Sequence, residues 1–218
     1  MSEIQTVELP KMTKETFITI LRENVKRDGV EDLIAFLDDN GFFESPASTK
    51  YHGAYDGGLF HHSLNVYYDL IDELTMLYGS DWEKIYSKES VAIVSLLHDV
   101  CKIDKYVKGI KNVKNKETGQ WEQIECYEYN QNQLRLGHAS SSIYIISDFI
   151  KLTPEEKQAI HFHMGAFDLS QYNSVYDLGN AFSNNTLAFA LHIADMTATY
   201  IDENENFKSI EQIEFEKD

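Results

Sequence analysis

The sequence predicts an all-helical fold interrupted by one β-hairpin, and three observations carry that reading. Apolar residues recur at three- and four-residue spacings through most of the chain, as on one face of a helix. Helix start and stop residues bracket several of these stretches. Between about residues 105 and 129 the pattern changes, and two charged segments flank Glu117-Thr118-Gly119, a turn composition.

Residues 14 to 27 place Phe17, Ile20, Leu21 and Val25 on one helical face. A short helix over about 30 to 38 is expected to stop at Asn40-Gly41, which suits a left-handed cap. Ser45 to Gly58 holds Pro46 and three glycines and reads as an irregular loop. A long helix follows from about Leu59 to Tyr78. The next, about 88 to 100, is apolar on nearly every side and is the expected buried centre. In the hairpin, Lys108, Lys111 and Lys114 are expected to face Glu128, Glu125 and Glu122 across a three-residue loop. Helices resume at about 138 to 150 and at Thr153-Pro154-Glu155-Glu156, where threonine suits the N-cap, proline N1 and glutamate N3. That helix ends near Met164-Gly165, and a last core helix covers about 186 to 201. The acidic tail from Asp202 to Asp218 is expected to fray. With no internal repeat, residues 1 to 218 read as one domain, with a core over about 45 to 201 and residues 13 to 40 packed on it.

The formal net charge of −17 disfavours long duplex nucleic acid, whose non-specific affinity comes from neutralised phosphates. A small nucleotide in a metal-charged pocket suffers less from that field. No apolar run approaches the roughly 20 residues of a membrane span. No secretory signal is visible, and two cysteines make no disulfide framework, so the cytoplasm is the expected compartment. Homo-oligomerisation stays open.

Histidines and acids fall where a core should be. The apolar central helix ends in His98-Asp99, and such groups cost several kcal/mol to bury unless paired or bound to metal. His62 shares a face with Val66, Leu70 and Leu77, whereas His61 lies with Asn65, Asp69 and Asp72 and is expected to face solvent. His163 follows Ala159 and Ile160 inward, and His161 sits on the polar side. His138 shares a face with Ile145 and Phe149, and Asp195 interrupts an apolar run without a basic partner. A lone inward histidine is ordinarily a hydrogen-bonded core residue. Five helices each contributing an ionisable group would be expensive without a shared cation. We therefore expect His62, His98, Asp99, His138, His163 and Asp195 to hold one or two divalent transition ions. Imidazole-rich donors suit Fe, Mn, Zn, Co or Ni better than Mg. His192 reads as either a support of that site or core, and Cys101 as a small packed thiol.

The ordered set His62, His98-Asp99, His138, His163, Asp195 resembles the HD superfamily of metal-dependent phosphohydrolases, an all-helical fold, over roughly residues 45 to 201. The stretches Gly57-Gly58-Leu59-Phe60-His61-His62, Leu96-Leu97-His98-Asp99-Val100-Cys101-Lys102 and Gly137-His138 are similar to the HD domain of bacterial 3′-to-5′ exoribonucleases. This resemblance implies a first ion on His62, His98, Asp99 and Asp195, with Asp99 bridging to a second on His138 and His163. Family members usually have glycine where this chain has Cys101.

The resulting expectation is a phosphohydrolase that cleaves a phosphoester or phosphoanhydride of a nucleotide through a metal-bound hydroxide. Asp99 would position the nucleophile, and Lys102, with Arg135 and His52 as weaker candidates, would meet the substrate phosphate. The alternatives are a 3′-to-5′ exonuclease on short single-stranded RNA or DNA and a non-catalytic metal- or nucleotide-binding sensor.

Overall fold

The computed structural model describes residues 12–116, 118–133, 137–168 and 175–204. Eight α-helices and one hairpin appear among them: α1 (Lys14–Asn24), α2 (Val30–Asp39), α3 (Gly58–Tyr78), α4 (Lys88–Leu97), β1 (Tyr106–Lys114), β2 (Trp121–Tyr129), α5 (His138–Ser147), α6 (Pro154–Phe162), α7 (Val175–Asn184) and α8 (Thr186–Thr197). The fold is mostly helical with one small antiparallel hairpin, as its periodicity predicts. Helix α7 was not anticipated. The last core helix ends at Thr197 rather than 201, and a π-type turn, Ala198–Asp202, continues it. No helix among the described residues is long and apolar enough to cross a membrane.

Helix α4 is the axis of the packing. Val91, Ala92, Ile93, Val94, Leu96 and Leu97 are all fully buried, so apolar contacts surround it as its composition requires. Helix α3 packs on α4 and α8, α6 packs on α8, and α5 on α6. Leu64, Val66, Leu70 and Leu74 of α3 and Leu187, Ala188 and Leu191 of α8 complete the same cluster. Leu77, expected inside, is 40% exposed, whereas Leu74 one turn earlier is fully buried. Small side chains on α8 (Ala188, Ala190, Ala194) let the helices approach closely near Asp195.

The hairpin pairs one residue out of the expected register. Tyr106 faces Tyr129 and Lys114 faces Trp121, so Lys108, Lys111 and Lys114 oppose Tyr127, Ile124 and Trp121 rather than glutamates. The loop holds an additional residue: Asn115 N–H donates to Gln120 O, and Gly119 (φ +71°) N–H returns to Asn115 O. A one-residue slip exchanges the faces of a strand, which is why charge matching alone misassigned them. The expected partner of Lys108 is replaced by Asp56, 2.7 Å away in the loop before α3, which Tyr127 also contacts through its hydroxyl. The hairpin is thereby tied to the loop that enters α3.

Arg27 joins three elements. Its guanidinium donates to both carboxylate oxygens of Glu156 (2.6 and 2.7 Å) and to Lys151 O, and it lies 3.3 Å from Glu89 at the start of α4. Glu156 is also the N3 residue of the α6 capping box, accepting from Thr153 N–H at 2.8 Å. Burial opposes ionisation of Glu156, but the guanidinium and the Thr153 amide outweigh it and hold the carboxyl below its ordinary 4.5. A carboxyl depressed on folding stabilises the native state above 4.5, and the contribution fades as pH falls toward its folded value. Glu156→Gln leaves Arg27 poorly compensated and is expected to cost about 3 kcal/mol in urea unfolding at pH 7. The gap to wild type should narrow as pH falls below about 4.5; a gap constant with pH would show that the charge is not the cause.

Candidate metal centre

Five segments bring their polar side chains to one point. His62 projects from the second turn of α3 and is fully buried. His98 is the C-cap of α4, and Asp99 follows in the bridge conformation (φ −109°, ψ 13°), turning the chain into the short 3₁₀ segment Val100–Lys102. His138 opens α5, His163 is the C-cap of α6, and Asp195 lies in α8. The loop before α3 is pressed onto the helix start: a Cβ on Gly58 would lie 2.0 Å from Gly53 O, so glycine is required there. At the other wall, Gly165 (φ +54°) comes so close to His192 that a Cβ would lie 2.5 Å from its Cε1.

Asp99 is at the centre, 1% exposed, and its two oxygens face different partners. Oδ1 lies 2.8 Å from His138 Nε2 and 3.6 Å from His163 Nε2. Oδ2 lies 3.4 Å from His98 Nε2, 3.7 Å from His62 Nε2 and 2.6 Å from Lys102 Nζ. His62 Nε2 is also 3.2 Å from Asp195 Oδ1. Donors about 2.1 Å from a common ion lie about 3–3.4 Å from one another in tetrahedral or octahedral geometry. The spacings here bracket that range.

None of these approaches has hydrogen-bond alignment at the imidazoles. The Nε2 atoms of His62, His98, His138 and His163, together with Asp99 Oδ1 and Asp195 Oδ2, are buried without a hydrogen-bond partner among the described residues. Buried polar atoms are seldom left unsatisfied, and a cluster of six in one place calls for a ligand. The groups His62–His98–Asp195, His98–Asp99–His163 and Asp99–Cys101–His138 are each close enough to hold one metal ion.

The remaining ring nitrogens show how the imidazoles are aimed. His98 Nδ1–H donates to Ser95 O (2.7 Å), and His163 Nδ1–H donates to Ile160 O (2.6 Å). Both residues cap a helix and fold the ring back onto the carbonyl three residues earlier. His62 Nδ1–H donates to Glu203 Oε1 at 3.0 Å, and Asn65 Nδ2 donates to the same oxygen. In each case the Nδ1–H bond aims Nε2 at the acids of the centre, the orientation a metal ligand needs; at His62 a bound cation would have to displace the Nε2 proton that Glu203 and Asp195 favour. His138 differs, since its Nδ1 sits 3.1 Å from Cys101 Sγ and 3.2 Å from Lys105 Nζ. His192 Nδ1–H bonds His163 O at 2.6 Å, so it supports the backbone of the site.

Electrostatics follow from this crowding. Burial opposes the charge on His62, but Glu203 and Asp195 outweigh it and push its pKa up to about 10. Burial lowers His138 to about 4 and lowers His98. Burial also opposes ionisation of Asp99, yet the adjacent Lys102 ammonium and the His98 and His138 rings hold it well below the carboxylate range. Burial pushes the Cys101 thiol up to about 11, so it is protonated at neutral pH.

The other expected residues divide. Lys102 reaches the centre, but it is buried against Asp99 rather than free at a helix end. His52 lies beside His62, ring centroids 5.0 Å apart, and lines the cleft above the centre; burial lowers it to about 4. Arg135 lies outside the described residues. His61 avoids the centre as expected, but it is half-buried, held by Tyr55 Oη and Met12 O. Cys101 is packed and buried, and its sulfur also touches His138, which its reading as filler did not foresee. Glu203 was missed altogether. It belongs to the acidic stretch expected to fray, and the π-type turn after α8 returns it to α3.

No protein-family model, curated protein or solved structure matches this chain. The case for a metal centre therefore rests on its geometry: four uncapped imidazole nitrogens and two carboxylates converge in a buried volume, a donor set compatible with a divalent cation. Glu203→Gln keeps the shape at His62 but removes the charge behind it. Affinity for Mn²⁺, read by calorimetric titration, is expected to fall about tenfold to a hundredfold. An unchanged affinity would mean that Glu203 serves packing alone.

Proposed function

We propose that the chain is a divalent-metal-dependent phosphohydrolase of the HD type, acting on a phosphoester or phosphoanhydride of a nucleotide. The observation that carries this reading is the convergence of four unpartnered, buried Nε2 atoms on Asp99, beneath an open cleft of about 1100 Å³ that Lys102, His138 and Asp195 of the centre line. A purely structural cluster would have satisfied its nitrogens. The order His62, His98-Asp99, His138, His163, Asp195 and its helical setting resemble the HD superfamily, which supports the same reading.

His62, His98, Asp99 and Asp195 would hold one ion, and the opposite oxygen of Asp99 with His138 and His163 a second. When bound, such an ion supplies Lewis acidity to water and to a phosphoryl group. The imidazole-rich donors favour Mn, Fe, Zn, Co or Ni over Mg. Asp99, with an oxygen toward each group of imidazoles, holds the two halves in register. Lys102 places an ammonium 2.6 Å from Asp99, where it offsets phosphate charge during transfer. His52 and Lys105 line the same cleft and orient the ester above the centre.

The test combines metal content with hydrolysis of bis(p-nitrophenyl) phosphate in Mn²⁺, on wild type and Asp99→Ala. Wild type is expected to retain one or two transition ions per chain and to turn over the diester. Asp99→Ala should lose the metal and at least about a hundredfold in kcat/KM. Wild-type protein with neither bound metal nor turnover would overturn the proposal.

A further inference from the structure

Three of the four imidazoles that face Asp99 are backed by a hydrogen-bond acceptor, and the fourth is not. Behind Nδ1 of His98 and His163 stands a backbone carbonyl, and behind Nδ1 of His62 stands the Glu203 carboxylate. Behind Nδ1 of His138 stand two donors, the Lys105 ammonium at 3.2 Å and the Cys101 thiol at 3.1 Å. An ammonium carries donors and no acceptor, so toward this nitrogen it can only donate. His138 Nδ1 is therefore the accepting nitrogen, and the proton of the neutral ring sits on Nε2, 2.8 Å from Asp99 Oδ1. A metal ligand needs the reverse, a free pair on Nε2 and the proton on Nδ1. The thiol can turn its sulfur to accept from that Nδ1–H. The ammonium would face it donor to donor.

The backbone is arranged to keep Lys105 in this place. Asp104, immediately before it, is the one non-glycine residue with positive φ (+54°) among the described residues. A left-handed step at a residue with a Cβ is uncommon and persists where surrounding contacts fix it. Asn130, at the foot of the hairpin, supplies those contacts. Its side-chain amide donates to Asp104 O and its backbone N–H to Lys105 O, both at 2.9 Å. Lys105 is half-buried and also lines the open cleft with Lys102 and His52, so its ammonium has a second place to go. Phosphate oxygens are strong acceptors for an ammonium, and the flexible stem of a lysine lets it follow them.

We infer that Lys105 is a latch on the second half of the centre, holding His138 out of its metal-binding form until a phosphate-bearing ligand in the cleft draws the ammonium away. This rests on the phosphohydrolase reading and adds how its centre is loaded. The first ion, on His62, His98, Asp99 and Asp195, needs no such release. The second ion and the phosphate favour one another, because each binds more easily once the other has separated Lys105 from His138. Toward the metal, Lys105 is thus a positioning residue that acts through the imidazole.

The experiment follows Mn²⁺ binding by calorimetric titration, with and without inorganic phosphate, in wild type, Lys105→Met, Lys105→Arg and Lys50→Met. Proton–nitrogen correlation spectra of the metal-free full chain report which nitrogen of His138 carries the proton. Wild type is expected to bind one ion tightly and a second at least about tenfold more weakly, and saturating phosphate should strengthen the second about tenfold. Lys105→Met should bind the second ion that tightly without phosphate, with the His138 proton moved from Nε2 to Nδ1. Lys105→Arg keeps a donor and Lys50→Met removes a cation elsewhere in the cleft, so both should behave as wild type. The inference is overturned if wild type binds two ions equally well without phosphate, or carries the His138 proton on Nδ1. It is equally overturned if Lys105→Met leaves the second site as weak as before, or if Lys50→Met strengthens it as much. Failure of the two readings is distinguishable. No Mn²⁺ bound by any form overturns the phosphohydrolase, whereas one tight ion with a second site indifferent to Lys105 overturns the latch alone.

Discussion

Asp99 carries its carboxylate 1% exposed, beside the end of α4, whose apolar residues are all fully buried, where stripping water from a charge costs several kcal/mol unless something replaces it. Lys102 replaces part of that water at 2.6 Å, and four imidazole edges surround the rest. Each of those edges belongs to a different segment, so the position of one charge constrains α3, α4, α5 and α6 together, and Asp195 of α8 joins them through His62. The small residues of α8 and the tight glycine contacts at Gly58 and Gly165 allow the close approach this convergence requires.

Orientation of the rings is achieved with few parts. Two histidines use the same local device, a helix C-cap whose ring bonds the carbonyl three residues back. His62 needs a carboxylate from a distant segment instead, because it lies inside α3, where its own backbone acceptors are already occupied. His138 takes a third route, meeting a protonated thiol and an ammonium. The halves of the centre therefore differ electrically: Glu203 and Asp195 enrich the His62 side in negative charge, and Lys105 makes the His138 side poorer in it. Two ions bound at these halves would feel different fields.

The acidic surface and the polar centre address different scales. A formal charge of −17 repels long polyanions over a Debye length of about 8–10 Å, while the cleft presents lysines and uncovered rings at contact distance. The hairpin contributes Tyr106 and Tyr129 at its base to the cleft wall, and Asp56 ties that base to the loop carrying Tyr51 and Tyr55.

What the sequence by itself determined was whatever depends on neighbours three or four residues away. Helical periodicity placed α1 to α6 and α8 to within a few residues, the capping box at Thr153 was legible, and the facing of His62, His98 and His163 followed from the apolar residues on their turns. Register and distant partners were not legible. Lysine and glutamate spacing in the hairpin admits two alignments one residue apart, and the extra loop residue between Asn115 and Gln120 decides between them. Glu203 sits in an acidic stretch without pattern, and it becomes part of the centre because a π-type turn sends the chain back toward α3. Cys101 looked like filler until α5 brought His138 against it. Periodicity encodes which side of an element is buried, because that depends on local geometry. Which group meets which across the core depends on how the elements cross, and that was settled by the tertiary packing around a charge that had to be surrounded.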